Sequence, residues 1–304
     1  MTAEKQFSLS YEGFSYNARV VGKPHPPSLP VVLLGGALMD MLGWRMTERH
    51  LSERTTVVTV DLPGQGTSDP LPAAYGLRYL SASVAHLVKH LGLGRVNLVG
   101  TSFGSTLAYA VARIHPEIVS HMVLVGFGGK PTPRARKLTD WTCAMVDKGM
   151  PNLGHRFATS ILNHDPSCSV RNRNSVRDTL IRYYDRYVPG PQAAATLRRA
   201  LGDSDLWEAG VTGVPALLVC GEHDHLVPPS LSRRACSLIE DARFVVIKEA
   251  DHVVHLERPA ELAEVVLRFC DGASLDALDY LGPVEQPYGD APPAVTPLRR
   301  LRSR

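Results

Sequence analysis

Residues 96–115 read VNLVGTSFGSTLAYAVARIH. The β-rich run Val96 to Val99 meets the pentapeptide Gly100-Thr101-Ser102-Phe103-Gly104, and an Ala-rich helical pattern carries on from Phe103 to His115. A G-x-S-x-G pentapeptide is weak evidence by itself, because an ordinary serine in a tight turn reads the same way. Its setting gives it meaning. A sharp turn from strand to helix forces the central residue into strained backbone geometry. The residues two before and two after must then be small, and both are glycine here. The start of a helix behind Ser102 favours developing negative charge. Ser102 is therefore the candidate nucleophile, with Gly100 and Gly104 as the glycines of its elbow.

Working outward, further β-rich runs are Pro30 to Leu34, Thr56 to Val60, His121 to Val125, Pro215 to Val219 and Phe244 to Ile247. They are continuously apolar rather than alternating, as in parallel strands covered by helices on both faces. Leu77, Leu80, Val84, Leu87, Val88 and Leu91 share one helical face between two of them. A closing helix is expected over Arg258 to Cys270, with Pro259 in its first turn. Phe7 to Ser10 and Phe14 to Val20 alternate around Glu12-Gly13, which predicts an antiparallel hairpin at the sheet edge. From 128 to 210 no strand is expected, only helical pieces such as Leu138 to Val146 and Asp178 to Tyr187, punctuated by prolines 131, 133, 151, 166, 189 and 191. The expected division is thus an α/β core over 1–127 and 211–272, a helical cap over 128–210, and a Pro-rich tail over 273–304. That tail ends in Arg299-Arg300-Leu301-Arg302-Ser303-Arg304 and is expected to be flexible or loosely docked.

A serine hydroxyl needs a base, and the base needs an orienting group. For this elbow the expected chain order is Ser, acid, His. Asp224 follows the strand Pro215 to Val219, and His252 follows the strand Phe244 to Ile247. Both fall where the carboxyl ends of parallel strands place ligand sites. Asp224 is assigned as the orienting carboxylate and His252 as the general base. Glu222 competes for the acid role but sits nearer the strand end. The stretch 126–130 offers no acid, and His255 is expected to point elsewhere. His223, His225, His252 and His255 match no common zinc spacing, so no metal is assigned.

Together these motifs resemble the α/β-hydrolase superfamily. Asp61-Leu62-Pro63-Gly64-Gln65-Gly66-Thr67-Ser68-Asp69 is similar to its D-x-P-G-x-G-x-S-D loop, Gly221 to Pro228 to its G-x-x-D-x-x-V-P acid loop, and His252 to Pro259 to its G-H-x-x-x-x-E-x-P segment. The resemblance implies an α/β-hydrolase fold: a mostly parallel sheet flanked by helices, with an inserted helical cap. It also implies an oxyanion hole from the backbone N–H groups of Ala37 and Phe103. Two positions depart from the pattern. Gly35-Gly36-Ala37 stands where the family often has His-Gly, which leaves backbone donors intact. Asp251 stands where a glycine usually precedes the histidine, and its charge is expected to face solvent. The run from Gly36 to Trp44 and the cap layout also resemble the acyltransferases of rhamnolipid synthesis.

Composition narrows the function without choosing it. The chain has 304 residues, 33 basic and 30 acidic, for a net +3, with no basic cluster interleaved with aromatics, so nucleic acid is not an expected partner. No apolar run reaches the about 18 residues a membrane span needs. Five scattered cysteines without a CxxC pair read as reduced and mostly buried, and no signal peptide is visible, so a cytoplasmic protein is expected. No G-x-G-x-x-G follows an early strand, and no cofactor is called for. The expected activity is that of a serine hydrolase acting on a small-molecule ester or thioester through an acyl-enzyme. The segment 128–210 holds 13 basic and 8 acidic residues, including Arg171, Arg173, Arg177, Arg182 and Arg186. These are either a solvated helix face or a dock for a coenzyme A or acyl-carrier thioester, which would make the protein a thioesterase or acyltransferase. A triad-bearing lyase and a ligand-binding receptor on the same fold are further alternatives. Trp141, Phe157, Tyr183, Tyr184, Tyr187 and Trp207 are candidates for pocket lining or for cap core.

Overall fold

The computed structural model describes residues 3–23, 26–188, 190, 192–201 and 204–288. Pro189, Pro191 and the Arg-ending stretch 289–304 lie outside the described residues. The chain opens with the antiparallel hairpin β1 (Ala3–Tyr11) and β2 (Phe14–Gly22), turned by Glu12 and Gly13 at positive φ. Then come β3 (Val31–Leu34), α1 (Arg45–Leu51), β4 (Val57–Asp61), α2 (Leu77–His90), β5 (Val96–Thr101), α3 (Phe103–Ile114) and β6 (Val119–Val125). Four helices follow without a strand: α4 (Pro133–Asp147), α5 (Leu153–Ser160), α6 (Arg173–Tyr187) and α7 (Ala193–Arg199). The core resumes with β7 (Ala216–Gly221), α8 (Pro229–Ala235), β8 (Ala242–Ile247), α9 (Val254–Glu257) and α10 (Pro259–Cys270).

The eight strands form one sheet in the order β1-β2-β4-β3-β5-β6-β7-β8. All pairings from β4 to β8 are parallel, and the hairpin joins β4 antiparallel at one edge. Every residue of β3, β4, β5 and β7 is buried, which is why these runs read as continuously apolar. Alternate residues serve opposite faces: Val32 and Leu34 join α2 and α3 in one core, while Val31 and Leu33 join α1 and α10 in the other. In the inserted helices, α5 and α6 pack so closely that a Cβ on Gly154 would stand 2.2 Å from the Asp185 amide nitrogen.

The segment after α10 departs from the expected loose tail. Strand β8 is a sheet edge, and its free N–H and C=O groups would otherwise be left without partners. Residues 280–285 take them up. Phe244 and Glu285 exchange two backbone hydrogen bonds at 2.8 and 2.9 Å, and the Gly282 N–H donates to Val246 O at 2.8 Å. Leu275 and Leu281 are buried against the same core. Of the five cysteines, Cys143, Cys220 and Cys236 are buried, Cys168 and Cys270 are half-buried, and all are free thiols. No helix among the described residues is long and apolar enough to cross a membrane.

Candidate active site

The elbow follows from close packing of backbone. Ser102 sits between β5 and α3 at φ 51° and ψ −116°, in the region L-residues avoid. A Cβ on Gly100 would lie 2.1 Å from Gly104 O, and one on Gly104 would lie 2.1 Å from Leu34 O. No side chain fits at either position, so the two glycines are required by contact. The Ser102 N–H donates to Val125 O at 2.8 Å, which ties the turn to the neighbouring strand.

Two loops at the same end of the sheet bring the other groups to Ser102. Asp224 lies in the turn after β7, where the Leu226 and Val227 amides donate to its Oδ1 at 3.0 and 2.8 Å. His252 lies after β8, with Nδ1 2.8 Å from Asp224 Oδ2 and Nε2 3.1 Å from Ser102 Oγ. Asp224 is the acceptor, so Nδ1 carries the ring proton and Nε2 is free to accept from the serine hydroxyl. Gly221 lets these loops meet, since a Cβ there would stand 2.1 Å from Asp251 O. Burial disfavours the charged form of His252, but Asp224, with smaller contributions from Asp251 and Glu257, outweighs it and leaves the imidazole above its usual range.

Ala37 and Phe103 line a cavity beside Ser102, and neither backbone N–H has a protein acceptor among the described residues. Gly36 comes within van der Waals reach, with its Cβ position 3.7 Å from Ser102 Cβ. The cavity measures about 290 Å³ and lies between the strand ends and the inserted helices. Phe157, Leu180, Tyr183 and Tyr184 line it from the helical side. Phe157 and Tyr184 pack edge to face with centroids 4.8 Å apart. Lys130, an exposed residue, is the one lysine or arginine lining the cavity among the described residues.

The remaining candidates part company. Trp141 is half exposed, and Trp207 stacks on Tyr109 outside the cavity lining. Tyr187 turns to Asp40. The five arginines do not line the cavity. Arg171 pairs with Glu249, Arg177 with Asp178, and Arg173 donates to the Asp165 and Cys168 carbonyls. His255 is buried against Trp44 with ring centroids 5.0 Å apart, and burial pushes it down to about 3. His223 faces Glu222, and His225 faces Ser160 O.

Asp251 corrects an expectation. It is 1% exposed rather than turned to solvent. The segment after α5 covers it: the Asn163 amide donates to Asp251 Oδ2, and Asn163 Nδ2 holds His223 O at 2.9 Å. The Asp251 N–H in turn donates to Glu257 Oε2 at 2.7 Å. Burial, with Asp251 nearby, pushes Glu257 up to about 8. The sequence motif contained Glu257 but gave no sign of this pairing.

A family described as alpha/beta hydrolase fold matches residues 30–259. The chain belongs to the alpha/beta hydrolase family. Among curated relatives, it is 28% identical over 240 residues to the 2-hydroxy-6-oxo-2,4-heptadienoate hydrolase of Pseudomonas putida, covering 75% of this chain and 84% of that one. It is 26% identical over 246 residues to the dihydrolipoyllysine-residue acetyltransferase component of an acetoin cleaving system, also from Pseudomonas putida. That match covers 79% of this chain but 63% of the relative, so the chain spans under two thirds of that protein's length. Among solved structures, a thermophilic esterase from Thermogutta terrifontis superposes with a TM-score of 0.73 at 21% identity, over 88% of this chain and 98% of that one. The Pseudomonas putida dienoate relative is a hydrolase, and this chain is an enzyme of the α/β-hydrolase fold.

Proposed function

We propose that the protein is a serine hydrolase that cleaves an uncharged carboxylic ester or thioester through an acyl-enzyme on Ser102, with residues 128–210 as the cap over its substrate. The observation that carries this reading is the hydrogen-bonded chain Ser102–His252–Asp224 at a strained strand-to-helix turn. Ser102 Oγ attacks the carbonyl carbon while His252 Nε2 takes its proton. Asp224 holds the imidazolium that forms. The N–H groups of Ala37 and Phe103 receive the oxyanion, where fixed donors count most. The leaving alcohol or thiol takes the proton back from His252. A water molecule then gives its proton to His252 and attacks the acyl carbon, releasing the acid and restoring Ser102.

The cavity supports an uncharged substrate with an apolar group. Its helical wall is mostly aromatic and aliphatic with a few neutral hydroxyls, and an anion placed there would have exposed Lys130 as the one lysine or arginine to pair with among the described residues. The dienoate named for the Pseudomonas relative carries a carboxylate and would need such a partner. The five cap arginines do not line the cavity, so exposed Lys130 is the one lysine or arginine in its walls that a coenzyme A or carrier-protein donor would meet among the described residues.

A fluorophosphonate probe tests the reading. Labelling at Ser102 is expected in the unaltered protein. Ser102→Ala should abolish labelling and lower ester turnover by at least about 10³-fold. Retained turnover in that variant overturns the proposal. Adding an alcohol and comparing free acid with new ester then separates transfer to water from transfer to an alcohol.

A further inference from the structure

The loop that presents Ala37 is built against its own preference. Gly36 to Met39 form a tight turn closed by the Met39 N–H to Gly36 O at 3.1 Å. Leu38 occupies its third position at φ 64°, where glycine is favoured and a leucine is strained. Such a turn persists only when its surroundings hold it. Next comes Asp40, whose Oδ1 accepts from the Leu42 N–H at 2.9 Å and starts the helical turn Met41–Trp44. From the core side, buried Asp61 accepts the Met41 N–H at 2.6 Å and the Thr67 N–H at 3.1 Å.

From the cap side, two tyrosines of α6 close on the same residue. The Asp40 N–H donates to Tyr183 Oη, and Tyr187 Oη donates to Asp40 Oδ2 at 2.6 Å. The tyrosines stand one turn apart on one face of the helix, with ring centroids 4.6 Å apart. The Tyr187 bond is charge-assisted and therefore among the stronger ones. Tyr183 also lines the cavity. One helix thus touches both the substrate space and the residue three positions after Ala37.

We infer that Tyr187, together with Tyr183, is a positioning residue for acyl transfer: through Asp40, the seated cap holds the strained turn that presents the Ala37 amide. The inference rests on the acyl-transfer reading of Ser102. It couples two things the fold could have kept apart, the seating of the cap and the alignment of an oxyanion donor. A donor aimed at the oxyanion acts on the transition state more than on the bound ester, so its misalignment appears in kcat.

The test is steady-state kinetics with p-nitrophenyl butyrate. Tyr187→Phe keeps the ring and removes the bond to Asp40. Its kcat is expected to fall about tenfold while KM changes less than about twofold. Asp40→Ala should lose at least as much, and adding Tyr187→Phe to it should cost little more, because both act through one contact. An unchanged kcat in Tyr187→Phe, a loss confined to KM, or fully additive losses in the double variant overturn the inference. Fluorophosphonate labelling of the unaltered protein reports on Ser102 separately. If labelling fails, the acyl-transfer reading falls. If labelling succeeds and the tyrosine variant is unaffected, only the positioning role falls.

Discussion

The two walls of the cavity are made differently. Behind the core wall the nucleophile's turn is packed backbone: a Cβ on Gly100 or Gly104 would meet a carbonyl at a distance no side chain tolerates, and Ser102 is held in strained geometry by its neighbours. The cap wall is mostly side chain, with Phe157, Leu180, Tyr183 and Tyr184 leaning in from helices whose own core is separate from the sheet. Backbone walls leave little freedom and suit chemistry that must not vary. Side-chain walls change size and polarity with single substitutions and suit the choice of substrate.

Substitutions and pH can break or sharpen this contrast. The largest effect is expected on the core side. Gly104→Ala would drive a methyl group into Leu34 O at 2.1 Å, with backbone on both sides of the contact. Soluble yield and turnover should both collapse, as measured by expression level and ester hydrolysis. A folded, active Gly104→Ala protein would mean that the core wall is softer than its contacts imply.

An intermediate effect concerns proton affinity. His252 must be neutral to accept the proton from Ser102, and its folded-state pKa is raised. Activity should therefore fall as pH drops through a value above the ordinary histidine range near 6.5, giving a raised acid limb in kcat/KM. Asp251 is one cause of that rise, so Asp251→Asn should move the limb downward by a few tenths of a pH unit to about one unit. An unshifted limb would show that Asp251 matters only for holding Asn163.

The smallest effect is expected on the cap side. Phe157→Ala removes an aromatic ring from the cavity wall and from its edge-to-face contact with Tyr184. Activity on short esters should change less than about threefold, while preference should move toward longer acyl chains by about tenfold in kcat/KM, consistent with about 1–3 kcal/mol per group in an apolar pocket. A chain-length series of nitrophenyl esters measures this. An equal loss on every ester would place Phe157 with the core wall instead.

Much of the core was legible because its signals are local. The elbow is a strand, a turn and a helix in 20 consecutive residues, and each part has its own pattern. Asp224 and His252 were legible because parallel strands end at one edge, so residues just past two strands approach each other. Residues 280–285 dock on the sheet although proline content there suggests looseness, because an unpaired sheet edge offers hydrogen bonds to a chain that passes.

What tertiary structure alone decided lies where cap meets core. Asp251 reads as an exposed loop residue until Asn163, 88 residues earlier, covers it. Asp40 and Tyr187 are 147 residues apart, and each is ordinary in its own segment. Local sequence determined the elements, their order and the candidate residues at the strand ends, because propensity, periodicity and steric fit act over a few residues. The seating of the helices over that edge determined which charges are buried and which groups Asp40 meets. Desolvation and hydrogen-bond partners depend on neighbours in space, and no short stretch of chain encodes them.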